Sequence, residues 1–113
     1  MDCIFCQIIA GEIPADILYQ DEVVIAFRDI NPVAPVHLLF IPKKHIPSLT
    51  HLSKAELSLI GDMVNTANQL AKREGISKSG YRLAISCGEQ GGQEVPHLHM
   101  HLVGGRQLAP TLG

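Results

Sequence analysis

Polar and apolar residues alternate from His97 to Leu102, with His97, His99 and His101 on one set of positions and Leu98, Met100 and Leu102 on the other. A period of two belongs to a strand, and it predicts that the aliphatic residues enter a core while the three imidazoles share an open face. The period changes over 53–75. Ser53 and Glu56 form a capping-box pattern, after which Leu57, Ile60, Val64, Ala67 and Ala71 recur at helical spacing until Gly75. This predicts one long helix with a polar outer face and a structural role. Cys3 to Ala10 reads as a short helix stopped by Gly11, with Pro14 as punctuation. Ile17 to Tyr19 and Val23 to Arg28 read as strands around a Gln20-Asp21 turn, and Val36 to Ile41 as another between Pro35 and Pro42. Tyr81 to Cys87 is a further strand, with Cys87 buried in it. The glycine-rich stretch 88–96 joins it to the histidine strand, which suggests an antiparallel pair. Several strands with one long and one short helix predict an α+β fold.

Composition narrows what such a fold does. The chain has 113 residues, 46% of them hydrophobic and 18% charged, enough for one domain spanning 1–113 with a modest core. No repeat, low-complexity segment or linker divides it. A formal net charge of -2 gives no overall electrostatic case for nucleic acid or a membrane surface, so a polyanion would have to be met locally. The N-terminal residues show no basic segment leading into a long apolar run, and the chain has no stretch of eighteen apolar residues. The expected location is the cytoplasm. Three cysteines, an odd number, argue against a disulfide framework and leave metal binding or burial.

The histidines carry the chemistry. At about 3.3 Å per residue, neighbouring imidazoles on the strand lie about 6.6 Å apart and the outer pair about 13 Å apart, so one metal could take two neighbours but hardly all three. A neutral imidazole is a competent nucleophile near pH 7. The glycine-rich stretch could bring backbone N–H groups close to a phosphate, or it could be an ordinary flexible loop. Cys3 and Cys6 in Cys-x-x-Cys spacing put two thiols on one side of a turn, with His45 a candidate third ligand. The alternative is two buried cysteines and a surface His45. No thioredoxin-like pattern surrounds the pair, which argues against a dithiol redox motif. His51 reads as solvated.

The stretch "His97-Leu98-His99-Met100-His101-Leu102-Val103", followed by "Gly104-Gly105-Arg106", resembles the motif of the histidine triad (HIT) superfamily, and specifically of its Hint branch. "Ile8-Ile9-Ala10-Gly11-Glu12-Ile13-Pro14", "Ala26-Phe27-Arg28-Asp29-Ile30-Asn31-Pro32-Val33-Ala34-Pro35-Val36-His37" and "Ile41-Pro42-Lys43-Lys44-His45-Ile46" are similar to Hint blocks in the same order. The resemblance implies an α+β homodimer with antiparallel five-stranded sheets that join across the interface. It also implies hydrolysis of purine nucleoside phosphoramidates or acyl-nucleotides, such as adenosine phosphoramidates, to a monophosphate such as AMP. His99 would be the nucleophile, its other ring nitrogen held by a fixed acceptor such as a backbone carbonyl, with His101 and His37 completing the catalytic cluster. Nucleotide contacts would come from Phe27, Asp29, Ile30, Ser86, Gly92, Gln93, Glu94 and Val95, with Asp29 on the ribose. In some relatives Cys3, Cys6, His45 and His97 would hold a structural zinc, and catalysis would need no metal.

The match is imperfect at the pocket. Ser86 stands where an asparagine is common, Glu94 where some relatives have serine, and Pro96 where an aromatic residue is frequent. A carboxylate at 94 repels phosphate, which leaves its backbone N–H as the contact. Two further classes stay open at this level: a nucleotide-binding or partner-binding protein with little turnover, and a metal-dependent hydrolase using the triad as ligands.

Overall fold

The computed structural model describes residues 3–113. Its elements run α1 (Ile4–Ile9), β1 (Ile17–Gln20), β2 (Val24–Arg28), β3 (Val36–Pro42), α2 (Ser58–Arg73), β4 (Tyr81–Ala84) and β5 (Met100–Gly104), with single 3-10 turns at Leu49–His51 and Lys54–Glu56. The five strands form one sheet in the order β1-β2-β3-β5-β4, and every neighbouring pair is antiparallel. This is the α+β architecture expected from the pattern.

Both helices end in the same way. After α1, Gly11 takes a φ of 76°, Gly11 N–H donates to the Ile8 carbonyl at 3.0 Å and Glu12 N–H to the Gln7 carbonyl at 2.9 Å. This pairing closes the orphan carbonyls of the last turn and requires a left-handed residue, which glycine supplies without strain. The capping box forms, with Ser53 N–H donating to Glu56 Oε1 at 2.9 Å, but it opens the 3-10 turn at Lys54–Glu56 and α2 begins only at Ser58.

The sheet is covered on both faces. Against α2 lie Val24, Ala26, Leu38, Phe40, Met100 and Leu102, packed on Met63, Ala67 and Leu70. On the other face Ile25, Phe27, Leu39 and Ile41 meet Cys3, Phe5 and Ile8 of the α1 segment. That double cover explains why β2 and β3 read as unbroken apolar runs, with all seven residues of β3 buried.

It also corrects one expectation. The histidine face is not open: His97 is fully buried, His99 is buried, and only His101 is partly exposed. Regular pairing starts at Met100, so His97 to His99 form an irregular lead-in beneath α1. At the other end of the hairpin the strand is shorter than predicted, because Ile85 to Cys87 leave the sheet and Cys87 is only half-buried.

Phe40 is the largest of the fully buried side chains and sits at the centre of the sheet, paired with Ala26 and Met100. Phe40→Ala should therefore cost about 3–5 kcal/mol in urea unfolding, with an unchanged denaturant slope. A loss under about 1 kcal/mol would place the core elsewhere.

Candidate active site and metal centre

The lead-in to β5 is fixed by its backbone. His97 N–H donates to the Val95 carbonyl at 2.8 Å and Leu98 N–H to the Ile46 carbonyl at 2.7 Å. The His97 carbonyl then turns toward the ring two residues on and accepts from His99 Nδ1 at 2.7 Å. A carbonyl only accepts, so Nδ1 carries the proton and Nε2 of a neutral His99 keeps its lone pair. The backbone acceptor sought from the sequence is present. Phe5, from α1, stands edge-on to this ring with centroids 5.1 Å apart, and also edge-on to His97 at 5.9 Å and to Phe27 at 5.7 Å. Sequence reading missed Phe5, since an apolar residue in the middle of a short helix looks like plain core.

A second chain of donors reaches His101. Val33 N–H donates to His37 Nδ1 at 3.2 Å, and a backbone N–H only donates, so the proton of neutral His37 is on Nε2. His37 Nε2 lies 2.9 Å from His101 Nδ1 and 3.4 Å from Asp29 Oδ2. His101 Nδ1 is then the acceptor, and its own proton sits on Nε2. Burial, followed by the neighbouring His99 and His37 rings, pushes the His101 pKa down to about 4 despite Asp29 nearby. His101 is therefore a neutral imidazole at pH 7. Asp29 is anchored locally, its Oδ1 accepting from Asn31 N–H at 2.8 Å, while Ile30 beside it is 87% exposed.

Four other side chains converge on one point. The ligand atoms of Cys3, Cys6, His45 and His97 all lie within 4.8 Å of one another. His45 Nδ1 and His97 Nδ1 are 3.1 Å apart, Cys6 Sγ is 3.2 Å from His45 Nδ1 and 3.7 Å from His97 Nδ1, and Cys3 Sγ is 3.4 Å from His97 Nδ1. A tetrahedral zinc with ordinary bond lengths separates nitrogens by about 3.3 Å and sulfur from nitrogen by about 3.6 Å. The donor set fits that ion. His97 Nε2 donates to the Pro42 carbonyl at 2.9 Å, which leaves Nδ1 as a lone pair aimed at the cluster, and burial holds this imidazole below its ordinary pKa. Burial and then the adjacent Cys3 thiol push the Cys6 thiol up.

Asp29, His37 and His101 also lie close enough to hold an ion. Their wiring is against it. With His37 Nδ1 occupied by the Val33 N–H, Nε2 is protonated and has no lone pair for a metal unless that bond is broken. The two clusters therefore differ in kind: one presents lone pairs to a common centre, the other passes N–H donors along a line.

The glycine-rich loop is braced more than its composition suggested. Gln93 accepts from Gly88 N–H at 2.9 Å through Oε1 and donates through Nε2 to the carbonyls of Pro47 and Val95 at 2.7 and 3.0 Å. Gly92 and Gln93 N–H groups donate inside the loop, each at 3.0 Å, to the Glu89 and Gly88 carbonyls. Of the four loop positions expected at the nucleotide, only Glu94 and Val95 keep N–H groups without an acceptor among the described residues. Gly91 is required by close approach, because a Cβ there would stand 2.4 Å from the Cys87 carbonyl oxygen. Two open clefts meet at Glu94 and Pro96. One of about 480 Å³ extends to Cys3 and His45, the other of about 500 Å³ to Gly88 and Glu89. Phe27 is buried, its ring edge-on to Phe5 with centroids 5.7 Å apart. Ser86 is half-buried just beyond β4.

The low pKa of His101 has a stability consequence. A base whose folded pKa lies below its ordinary value near 6.5 binds its proton more weakly when folded, so the unfolded chain takes up more protons between about pH 4 and 6.5. This contribution to stability is fully present above pH 6.5 and is lost as pH falls through that window. Histidine NMR should show the His101 ring still neutral at pH 5.5. Protonation near pH 6.5 would contradict the burial argument.

Comparisons with known proteins agree with this geometry. The family model described as HIT domain matches residues 10–108. The purine nucleoside phosphoramidase of Escherichia coli (strain K12) is 50% identical over 111 residues, covering 98% of this chain and 93% of that protein. Among solved structures, the HIT family hydrolase from Legionella pneumophila Philadelphia 1 superposes with a TM-score of 0.96 at 46% identity, over 99% of this chain and 100% of that one. A histidine triad protein from Clostridium difficile gives 0.96 at 45% identity, over 99% and 97%. With a triad in this setting and likeness over nearly its whole length, the chain belongs to the HIT family.

Proposed function

We propose that the protein is a nucleotide hydrolase that cleaves purine nucleoside phosphoramidates, with acyl-nucleotides as the related substrate class. The observation that carries the reading is the His99 Nδ1 donor bond to the His97 carbonyl, which leaves Nε2 as a fixed, unprotonated nucleophile. Half of its residues are shared with a relative named for that activity.

In this reading, His99 Nε2 attacks the α-phosphorus, the P–N or acyl P–O bond breaks, and a nucleotidyl-His99 intermediate forms that water then cleaves. Glu94 and Val95 N–H groups receive the phosphate oxygens, with Gly92 and Gln93 shaping the loop that presents them. His101 donates its Nε2–H to phosphate. The anion beside that ring favours imidazolium, which is the acid a leaving amine needs. His37 keeps His101 in the right tautomer. Asp29 accepts from ribose hydroxyls with its remaining lone pairs, and Phe27, Ile30 and Ser86 border the nucleoside. The Glu94 carboxylate faces away from phosphate.

Cys3, Cys6, His45 and His97 hold a structural zinc, which ties α1 to the start of the triad and supplies no step of the reaction. Two sheets join edge to edge in a homodimer, for which β1 and β4, each with a neighbour on one side only, are the free edges. Among the described residues no helix is long and apolar enough to cross a membrane. Free thiols at the metal centre suit a reducing compartment, and we assign the protein to the cytoplasm.

His99→Ala should lower hydrolysis of adenosine phosphoramidate by several orders of magnitude while AMP still binds, because the loop donors remain. Parental turnover in that variant, or no nucleotidylated histidine in rapidly quenched wild-type protein, would remove His99 as the nucleophile, and AMP binding without hydrolysis by the wild type would reduce the protein to a nucleotide binder. Purified protein should also carry about one zinc per chain, and chelation should lower the melting temperature before it lowers activity. Removing the metal with no change in melting would return Cys3 and Cys6 to buried thiols.

A further inference from the structure

Cys3 is the N-cap of α1 and Cys6 lies three residues on, with Cys6 N–H donating to Cys3 Sγ at 3.4 Å. The two sulfurs thus share one side of a helix start, within the 4.8 Å that encloses the whole cluster. Structural zinc centres have four protein ligands and no open coordination position, which does not by itself shield the ligands from solvent. Here Cys3 and His45 line the open cleft of about 480 Å³, and Cys6 is only half-buried. A small solute therefore reaches the half-buried Cys6 without unfolding the chain, while Cys3 lies buried beside it.

We propose that Cys3 and Cys6 form a peroxide-sensitive modification site, and that joining them as a disulfide removes the metal ligands and loosens the nucleophile His99. The proposal rests on the zinc reading above. Cys6, the more exposed sulfur and a thiolate while it holds the metal, attacks one oxygen of hydrogen peroxide; the O–O bond breaks and a sulfenic acid forms with loss of one water. Cys3 attacks the Cys6 sulfur, and the hydroxyl leaves as a second water. Two electrons pass from the sulfurs to the peroxide, and two protons come from solvent. A dithiol reductant reverses the change. Neither sulfur of a disulfide carries the charge that holds a cation.

Two contacts carry the change to the nucleophile. Phe5 lies between the two cysteines in sequence, and its ring edge packs on His99 with centroids 5.1 Å apart. His97 loses its sulfur neighbours, and its carbonyl is the acceptor that fixes the His99 tautomer at 2.7 Å. A shift in the α1 start thus moves both groups that hold His99.

The test uses the purified protein as expressed. Zinc is measured first, hydrogen peroxide is then added with a chromogenic zinc chelator, and disulfide formation is followed by peptide mass mapping alongside hydrolysis of adenosine phosphoramidate. One zinc should be released per Cys3–Cys6 disulfide, with activity falling about tenfold on the time course of the disulfide, further than chelation alone lowers it, and returning with dithiothreitol and zinc. Cys87→Ser should respond as the parent does. Oxidation confined to Cys87, or a Cys3–Cys6 disulfide with undiminished activity, would overturn the proposal. Protein that carries no zinc before peroxide overturns the metal reading instead, and the thiol site is then judged by the disulfide and the activity alone.

Discussion

His97 is completely buried, and an imidazole tolerates that only when both ring nitrogens are satisfied. Nε2 finds the carbonyl of Pro42 at the end of β3, and Nδ1 finds the Cys3–Cys6–His45 cluster. These two demands pin the residue between the sheet and α1. Once its side chain is fixed, the direction of its carbonyl is fixed as well, and that carbonyl is the acceptor for His99. One residue therefore joins the Cys3–Cys6–His45 cluster with its side chain and sets the His99 tautomer with its backbone. The irregular backbone before β5 follows from the same constraint, because a regular strand would direct the carbonyl into the ladder and away from the next histidine.

The features legible in the sequence were those with a local cause. The long helix follows from its apolar stripe, both helix stops from Gly11 and Gly75, and the antiparallel hairpin of β4 and β5 from alternation on either side of a glycine-rich loop. The errors have a shared origin. Alternation tells that two faces differ in composition, not that one of them is wet, and the histidine face is polar because its imidazoles bond to one another and to carbonyls beneath α1. Nothing local announces that cover. Similarly, Gly92 and Gln93 read as phosphate donors by residue type, while the bonds that use up their N–H groups run to Glu89 and Gly88 and depend on how the turn closes. Phe5 went unnoticed because its contact with His99 spans almost the whole chain.

The division of labour between the two faces has a physical basis. The α2 face is apolar throughout and holds the sheet in register, so the opposite face is free to bury polar groups. Even there, Phe27, Leu39 and Ile41 surround the imidazoles with hydrocarbon. Low polarity disfavours charge on the rings, and this places the His101 pKa at about 4.

A site built this way meets an anion with dipoles before it meets it with charge. On the proposed reading, the backbone N–H groups at 94 and 95 and the Nε2–H of neutral His101 would attract phosphate without a positive charge in the resting site. An arriving phosphate reverses the balance, since a negative charge beside His101 offsets the penalty that burial imposes on its cation. On that reading the acid needed to release an amine would be generated by substrate binding instead of being stored in the resting protein. The same surroundings that keep His101 neutral in the resting site would make its response to an anion large.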